Sequence, residues 1–152
     1  MAITTRQTIL LKGDPGEGYK EYIAAENNIL PGFLLQTDGN GEAITNNEAA
    51  KRAEVLVALE DDFRGMNIDG VSRDASTTGY QIGDIVRCKL LERGEVAYMI
   101  LKSGEVVLKG GYLTSNADGK LQAAGASEYW MFKAVDAADA TAADVRVAAE
   151  CL

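Results

Sequence analysis

Glycine-bearing turns punctuate this chain at short intervals, and most stretches between them are too short for a helix of ordinary length. Sixteen glycines stand against two prolines in 152 residues. Asp38-Gly39-Asn40-Gly41, Arg93-Gly94, Ser103-Gly104 and Asp118-Gly119 are turn signals. Between them lie runs rich in branched and aromatic residues: Phe33–Thr37, Glu54–Leu59, Ile85–Leu91, Val96–Leu101, Glu105–Leu108, Tyr112–Ser115, Lys120–Ala123, Tyr129–Val135 and Val145–Ala149. Many short strands joined by tight turns predict an all-β, compact β-barrel or β-sandwich-like domain. Short helical turns are expected over Asn46–Arg52 and in the Ala-rich stretch Asp136–Asp144. A chain of this length buries enough surface to fold as one domain without a disulfide or metal.

The first residues read differently. Thr-rich sequence with β-branched side chains and few charges runs to Lys12, and Gly13-Asp14-Pro15-Gly16-Glu17-Gly18 then breaks any regular element. We therefore divide the chain into an extended N-terminal arm, 1–18, and a β-rich domain, 19–152, that Tyr19–Ala25 opens as a strand. Ile3, Thr4, Thr5, Arg6, Thr8, Ile9, Leu10 and Leu11 suit an added edge strand, because main-chain pairing asks little of the partner's sequence. The competing reading makes the same residues the first strand of the domain's own barrel. The start of the chain lacks the basic and apolar regions of a secretory signal.

One pattern occurs twice. Pro31-Gly32-Phe33-Leu34 followed by Asp38-Gly39-Asn40-Gly41-Glu42-Ala43 is echoed by Gly110-Gly111-Tyr112-Leu113 followed by Asp118-Gly119-Lys120-Leu121-Gln122-Ala123. Each leads to an apolar strand with an acidic end, Ala58-Leu59-Glu60-Asp61 and Ala134-Val135-Asp136. Two copies of a Gly-aromatic-Leu hairpin point to a pseudo-symmetric barrel.

The residue types for most chemistry are missing. There is no histidine, which removes the commonest general base, the Ser-His-Asp triad and most zinc sites. Fifteen basic against twenty-three acidic residues give a net charge of −8. That balance opposes a nucleic-acid or anionic-membrane partner. Glu60-Asp61-Asp62 is the densest acidic cluster, yet adjacent acids fan outward and read as a solvated loop. Asp38-Gly39-Asn40-Gly41-Glu42 contains part of a calcium-loop pattern, but Gln36 and Asn47 stand where the first and last ligands belong. Cys88 and Cys151 form no metal-spaced cluster; the first reads as a buried thiol and the second as free. Tyr129, Trp130 and Phe132 share a strand and are expected in the core. No catalytic residue, cofactor or metal is expected, and the chain reads as a non-enzyme.

Several segments, in order, resemble a known family. Pro31-Gly32 starts a strand, and Ala58-Leu59-Glu60-Asp61-Asp62-Phe63-Arg64-Gly65 follows. Tyr80, Gly83-Asp84-Ile85-Val86, Arg93-Gly94-Glu95 and the hairpin from Gly111-Tyr112-Leu113 to Asp118-Gly119-Lys120-Leu121 complete the set. Together they resemble the capsid decoration (cement) proteins of tailed bacteriophages, from about residue 25 to 150. The stretch from Asn67 to Thr78 is longer than that family leads one to expect. The resemblance implies a structural virion protein, assembled in the host cytoplasm, on the outer surface of an icosahedral head. Its implied partner is the major capsid protein, with homotrimers at threefold and quasi-threefold positions and the arm reaching onto the shell. Two alternatives compete. A barrel-sandwich carrier needs a modifiable lysine at a hairpin tip, where Lys102 and Lys120 come nearest. A carbohydrate-binding module would rest on Tyr129 and Trp130.

Overall fold

The structure is a computed structural model and describes residues 8–51, 54–61 and 79–152. Among them there is no helix, and the elements are β1 (Leu10–Lys12), β2 (Tyr19–Ile23), β3 (Leu34–Thr37), β4 (Ala43–Thr45), β5 (Leu56–Ala58), β6 (Ile85–Leu90), β7 (Val96–Leu101), β8 (Val106–Val107), β9 (Tyr112–Ser115), β10 (Leu121–Ala123), β11 (Phe132–Ala134), β12 (Ala138–Asp139) and β13 (Val145–Cys151). The protein is all-β.

Strands β7-β13-β11-β9-β10 form a closed five-stranded barrel: β10 returns to β7 through the parallel pair Leu121↔Leu101. Strands β2-β6-β5-β3-β4 form a second sheet in the corresponding order, and β4 returns toward β2 through the parallel bridge Ala24↔Ala43. The two five-strand units are copies of one design, and the pairing register proves it residue by residue. Leu35↔Thr45 and Thr37↔Ala43 in one unit correspond to Leu113↔Ala123 and Ser115↔Leu121 in the other. Leu56↔Leu90 and Ala58↔Cys88 correspond to Phe132↔Cys151 and Ala134↔Ala149. The joints match as well. Gly32 N–H donates to Ala58 O at 2.7 Å as Gly110 N–H donates to Ala134 O at 2.8 Å, and both glycines have positive φ, 91° and 82°.

The expected echo is therefore a duplication of a whole barrel, with the register moved slightly. Gly41, not Gly39, corresponds to Gly119; both sit in left-handed backbone, φ 78° and 81°, where glycine avoids the Cβ clash. The units differ most between their last two strands. That connection runs from Leu59 to Asp84 in the first barrel and from Val135 to Asp144 in the second. Asp62–Thr78 of the longer connection lies outside the described residues.

Side chains alternate across a strand, so one strand can serve two cores. Leu35, Leu56 and Ala58 point into the first barrel with Ala24, Ala43, Val86 and Cys88. Leu34 and Val57, on the opposite faces of β3 and β5, join the core of the second barrel with Met99, Leu113, Leu121 and Phe132. In return Ile100, on the outer face of β7, packs into the first core. The barrels thus share a buried junction. Arg146 fastens it, its Nη1 donating to Pro31 O at 2.5 Å and Tyr98 O at 3.3 Å.

The helical expectation needs correction. Neither helical turn forms among the described residues. The Ala-rich stretch instead carries β12, paired with β8, and ends in a turn where Asp139 Oδ1 accepts the Thr141 N–H at 2.9 Å. The chain also joins the body before residue 18. Ile9 is fully buried and β1 pairs antiparallel with β7.

The junction makes a measurable asymmetry between equivalent glycines. A Cβ at Gly110 would meet nothing closer than 3.8 Å, whereas at Gly32 it would lie 2.7 Å from Tyr98 O and 2.2 Å from Arg146 Nη1. Gly110→Ala should cost about 1–2 kcal/mol for the left-handed backbone alone. Gly32→Ala should cost about 1–3 kcal/mol more for the overlap. Urea unfolding of both variants checks this, and equal losses would mean that the barrels do not meet there.

Candidate functional site

The residues proposed for a capsid-binding arm divide. Ile3, Thr4, Thr5 and Arg6 lie outside the described residues. Thr8 is exposed, but Ile9 sits in the core, Leu10 packs against that core and Leu11 is half-buried. Ile9 is held from both sides: its carbonyl accepts the Tyr98 N–H at 2.7 Å and its N–H donates to Glu60 Oε2 at 2.9 Å. The segment from Ile9 to Lys12 is the first strand of the protein's own barrel assembly.

The glycine-rich stretch that follows is anchored. Lys89 is completely buried on the outer face of β6; its ammonium donates to Glu17 O and pairs with Glu95 Oε1 at 3.2 Å. Glu95 also accepts the Asp14 N–H at 3.2 Å and the Glu92 N–H at 2.8 Å. One ion pair therefore ties the Gly13–Gly18 stretch, the first barrel and the turn between the barrels.

A cleft of about 320 Å³ opens beside this stretch and is lined by Thr8, Leu10, Pro15, Tyr19, Glu60 and Arg87 among others. Its polar groups are engaged with one another. Arg87 Nε donates to the Tyr19 hydroxyl at 3.1 Å, which donates to Glu21 at 2.6 Å. Burial, together with the Glu21 hydrogen bond, raises the Tyr19 pKa, so this phenol stays protonated. Glu60 is spent on Ile9. The arrangement gives no nucleophile with an adjacent base.

The acidic cluster does not behave as a solvated loop. Asp61 is buried and partnered, Glu60 holds the first strand, and Asp62 lies outside the described residues. Asp38 Oδ1 accepts the N–H groups of Asn40 and Glu42 at 2.8 and 2.9 Å, the work of a hairpin turn. Among the described residues no group of three or more carboxylate or thiol side chains converges on a metal-sized site. No helix among them is long and apolar enough to cross a membrane. Lys120 pairs with Asp144 at 2.9 Å, and Lys102 Nζ reaches Asn116 Oδ1 at 3.4 Å, so neither stands at a free hairpin tip.

The aromatic row splits against expectation. Phe132 fills the second barrel, but Trp130 and Tyr129 are 42% and 45% exposed. Trp130 stacks on Tyr112 with ring centroids 4.1 Å apart and planes 3° from parallel, and its indole N–H donates to Gly125 O at 3.0 Å. The residues before Phe132 lie outside β11, which frees them from the alternation that buries Phe132. The exposed surface is thus a stacked aromatic pair whose indole N–H is already used. Leu108, the most exposed large apolar residue among the described ones at 75%, lies on the same strand-entry segment as Tyr112.

No protein-family model matches the chain, and no curated protein matches it at a significant level.

Two predictions follow from the buried groups. Glu95→Gln leaves the Lys89 ammonium buried without its counter-charge and should cost about 3–5 kcal/mol in urea unfolding, whereas Lys89→Met should cost clearly less. The reverse order would show that the lysine stem, not the pairing, matters there. Both cysteines are free and buried. Burial, with a smaller contribution from Glu21, pushes the Cys88 thiol up to about 12. Burial also raises Cys151, with Glu95 adding to it. Neither should react with a thiol reagent at pH 8 in the folded protein, and both should react after denaturation. A fast native reaction at either site would contradict this.

Proposed function

We propose that this chain is a structural virion protein that binds the outer surface of an icosahedral phage head and stabilises the expanded shell by bridging capsomers. The observation that carries the reading is where the family-like segments lie. Pro31-Gly32 meets Ala58-Leu59 through Gly32 N–H to Ala58 O, and Ala58 N–H to Phe33 O at 3.0 Å. Tyr80 donates its hydroxyl to Leu59 O at 2.7 Å, and Gly83 N–H donates to Ala24 O at 3.0 Å. The segments Pro31-Gly32, Ala58-Leu59 and Tyr80 meet in the first barrel, while Arg93-Gly94-Glu95 forms the turn between the barrels and the hairpin from Gly111 to Leu121 belongs to the second. The ordered resemblance, together with an acidic β fold, supports the reading.

The chemistry is compatible with scaffolding. The described surface offers partnered polar groups and apolar patches rather than a reactive cluster, and an acidic chain stays soluble at high local concentration. A protein that binds only the expanded shell stabilises it by mass action at every site. Its partner in this reading is the major capsid protein, and homotrimers seated at threefold and quasi-threefold positions would span neighbouring capsomers.

Virions of the phage that encodes the chain provide the test. Purified protein should co-sediment with expanded heads lacking it, saturate at many copies per head, and raise the temperature at which heads release DNA. Failure to bind expanded heads, or seating only at fivefold vertices, would overturn the proposal.

A further inference from the structure

The duplication places the same kind of dipeptide at the same turn in both barrels. Asn40-Gly41 follows β3 and Asp118-Gly119 follows β9, and both glycines take left-handed backbone. A glycine has no side chain to keep its main-chain nitrogen away from the side-chain carbonyl carbon of the residue before it. Asn40 is the one asparagine in the chain that a glycine follows.

The surroundings of the two turns differ. Asn40 and Gly41 are exposed, and no atom outside the neighbouring residues comes within 4 Å of where a Cβ on Gly41 would stand. The Asn40 side chain holds no hydrogen bond among the described residues, and its main-chain N–H is engaged by Asp38 Oδ1 at 2.8 Å. The Gly41 N–H donates to Asp38 O at 3.1 Å, a bond at a loop tip that opens without disturbing the strands. Other asparagine side chains are held: Asn27 Oδ1 accepts the Ile82 N–H at 3.0 Å, and Asn46, itself buried, accepts the Ser115 hydroxyl at 2.7 Å. Gly119 is buried as well. A Cβ there would lie 2.9 Å from Phe33 Cδ2, its N–H donates to Asn46 O at 3.3 Å, and its carbonyl accepts the Leu34 N–H at 2.8 Å. Both bonds cross from the second barrel to the first, so this turn opens only where the barrels part.

We propose that Asn40 is a site of spontaneous covalent modification, through a succinimide closed on the Gly41 nitrogen, and that the junction between the barrels protects the equivalent turn. The Gly41 main-chain nitrogen gives up its proton to hydroxide and attacks Asn40 Cγ. A new C–N bond closes the ring, the bond from Cγ to the side-chain nitrogen breaks, and ammonia leaves with a proton taken from water. Water then adds to either ring carbonyl. Opening at Cγ gives aspartate, and opening at the main-chain carbonyl gives isoaspartate, whose main chain runs through Cβ. Water enters and ammonia leaves, with no oxidation or reduction. Either product adds a negative charge to a chain that already carries −8. Isoaspartate also lengthens the main chain of the hairpin that sets Thr37↔Ala43, and Ala43 makes the bridge to Ala24 that closes the first barrel. The inference rests on turn chemistry and does not depend on the capsid reading.

Peptide mass mapping of the folded protein, incubated at mildly alkaline pH, tests it. Asn40 should be converted, with the mass gain of an amide NH2 exchanged for a hydroxyl. Hydroxylamine added during the incubation should cut the chain between Asn40 and Gly41, which marks the cyclic intermediate. Asn40→Gln should remove both signals, because the longer side chain closes its ring far more slowly. Asp118→Asn isolates the effect of the fold, since it places the same dipeptide at the covered turn; unchanged thermal melting identifies it as folded. In that variant the amide introduced at the covered turn should convert roughly tenfold more slowly than Asn40, or slower still, while in urea the two should convert at similar rates. An Asn40 that stays intact in the folded protein while the urea-unfolded chain converts would overturn the modification site. Equal rates at the two turns of the folded variant would overturn the protection by the junction.

Discussion

The structure depends on two strands that are buried on both sides. β3 and β5 send Leu35, Leu56 and Ala58 into one barrel and Leu34 and Val57 toward the other. A strand in that position has no face to give to water, so it reads as a continuous apolar run: Phe33-Leu34-Leu35 and Val55-Leu56-Val57-Ala58-Leu59. The counterpart of β5 in the second barrel, β11, has one open face, and there the sequence alternates. Phe132 and Ala134 are buried while Lys133 between them is exposed. The difference in hydrophobic pattern between two otherwise matching units is thus set by which unit lies under the other.

The two barrel interiors reach similar packing by different allocations of volume. At the closing seam the second barrel uses Leu101 and Leu121, and the first uses Ala24 and Ala43. Two alanines leave space that close packing does not tolerate. Tyr80 enters the same core, fully buried, with its hydroxyl on Leu59 O. Burial, with the nearby Asp61 charge, holds that phenol well above its usual pKa, so it keeps the proton it donates. Tyr80 arrives from the long connection between β5 and β6, which ties that connection to the packing of the first barrel.

Much of this was legible in the sequence because turn chemistry is local. The strands, the hairpin after Thr37 and the repeated hairpin were readable from glycine, asparagine and aspartate positions alone. The register of the repeat was not, because Asp38-Gly39-Asn40-Gly41 contains two glycines able to turn the chain. Only pairing partners distant in sequence decide that Gly41 matches Gly119. The same limit hid the role of Ile9–Lys12. An extended segment with branched residues suits any sheet edge, and its partner, β7, lies far along the chain. The helical expectation at Asp136–Asp144 followed alanine propensity, which the β8 pairing and the Asp139 turn override. The exposed Tyr112–Trp130 pair was hidden for a related reason: a stacked pair drawn from a strand and a loop has no sequence period.

Repeat architectures usually end in units whose outer faces are polar, because a face evolved to meet a neighbour is otherwise left in water. Ile23, Ile82 and Ile85 of the first barrel and Leu108, Tyr112 and Trp130 of the second are partly or largely exposed. Of their counterparts, Ile100 for Ile23 and Leu34 for Tyr112 are buried where the two barrels meet. Exposed apolar residues scattered singly need no explanation, but clusters at corresponding positions of a duplicated fold do. Within the first unit, Leu34 and Val57 show that the fold puts apolar residues at this interface when a neighbour is present. The second unit places Lys133 where the first has Val57, yet keeps Leu108 in place of Leu30 and an aromatic ring in place of Leu34. That mixture sets an apolar centre beside a charged edge on the exposed side of the second unit, where the first unit, covered by its neighbour, is apolar throughout.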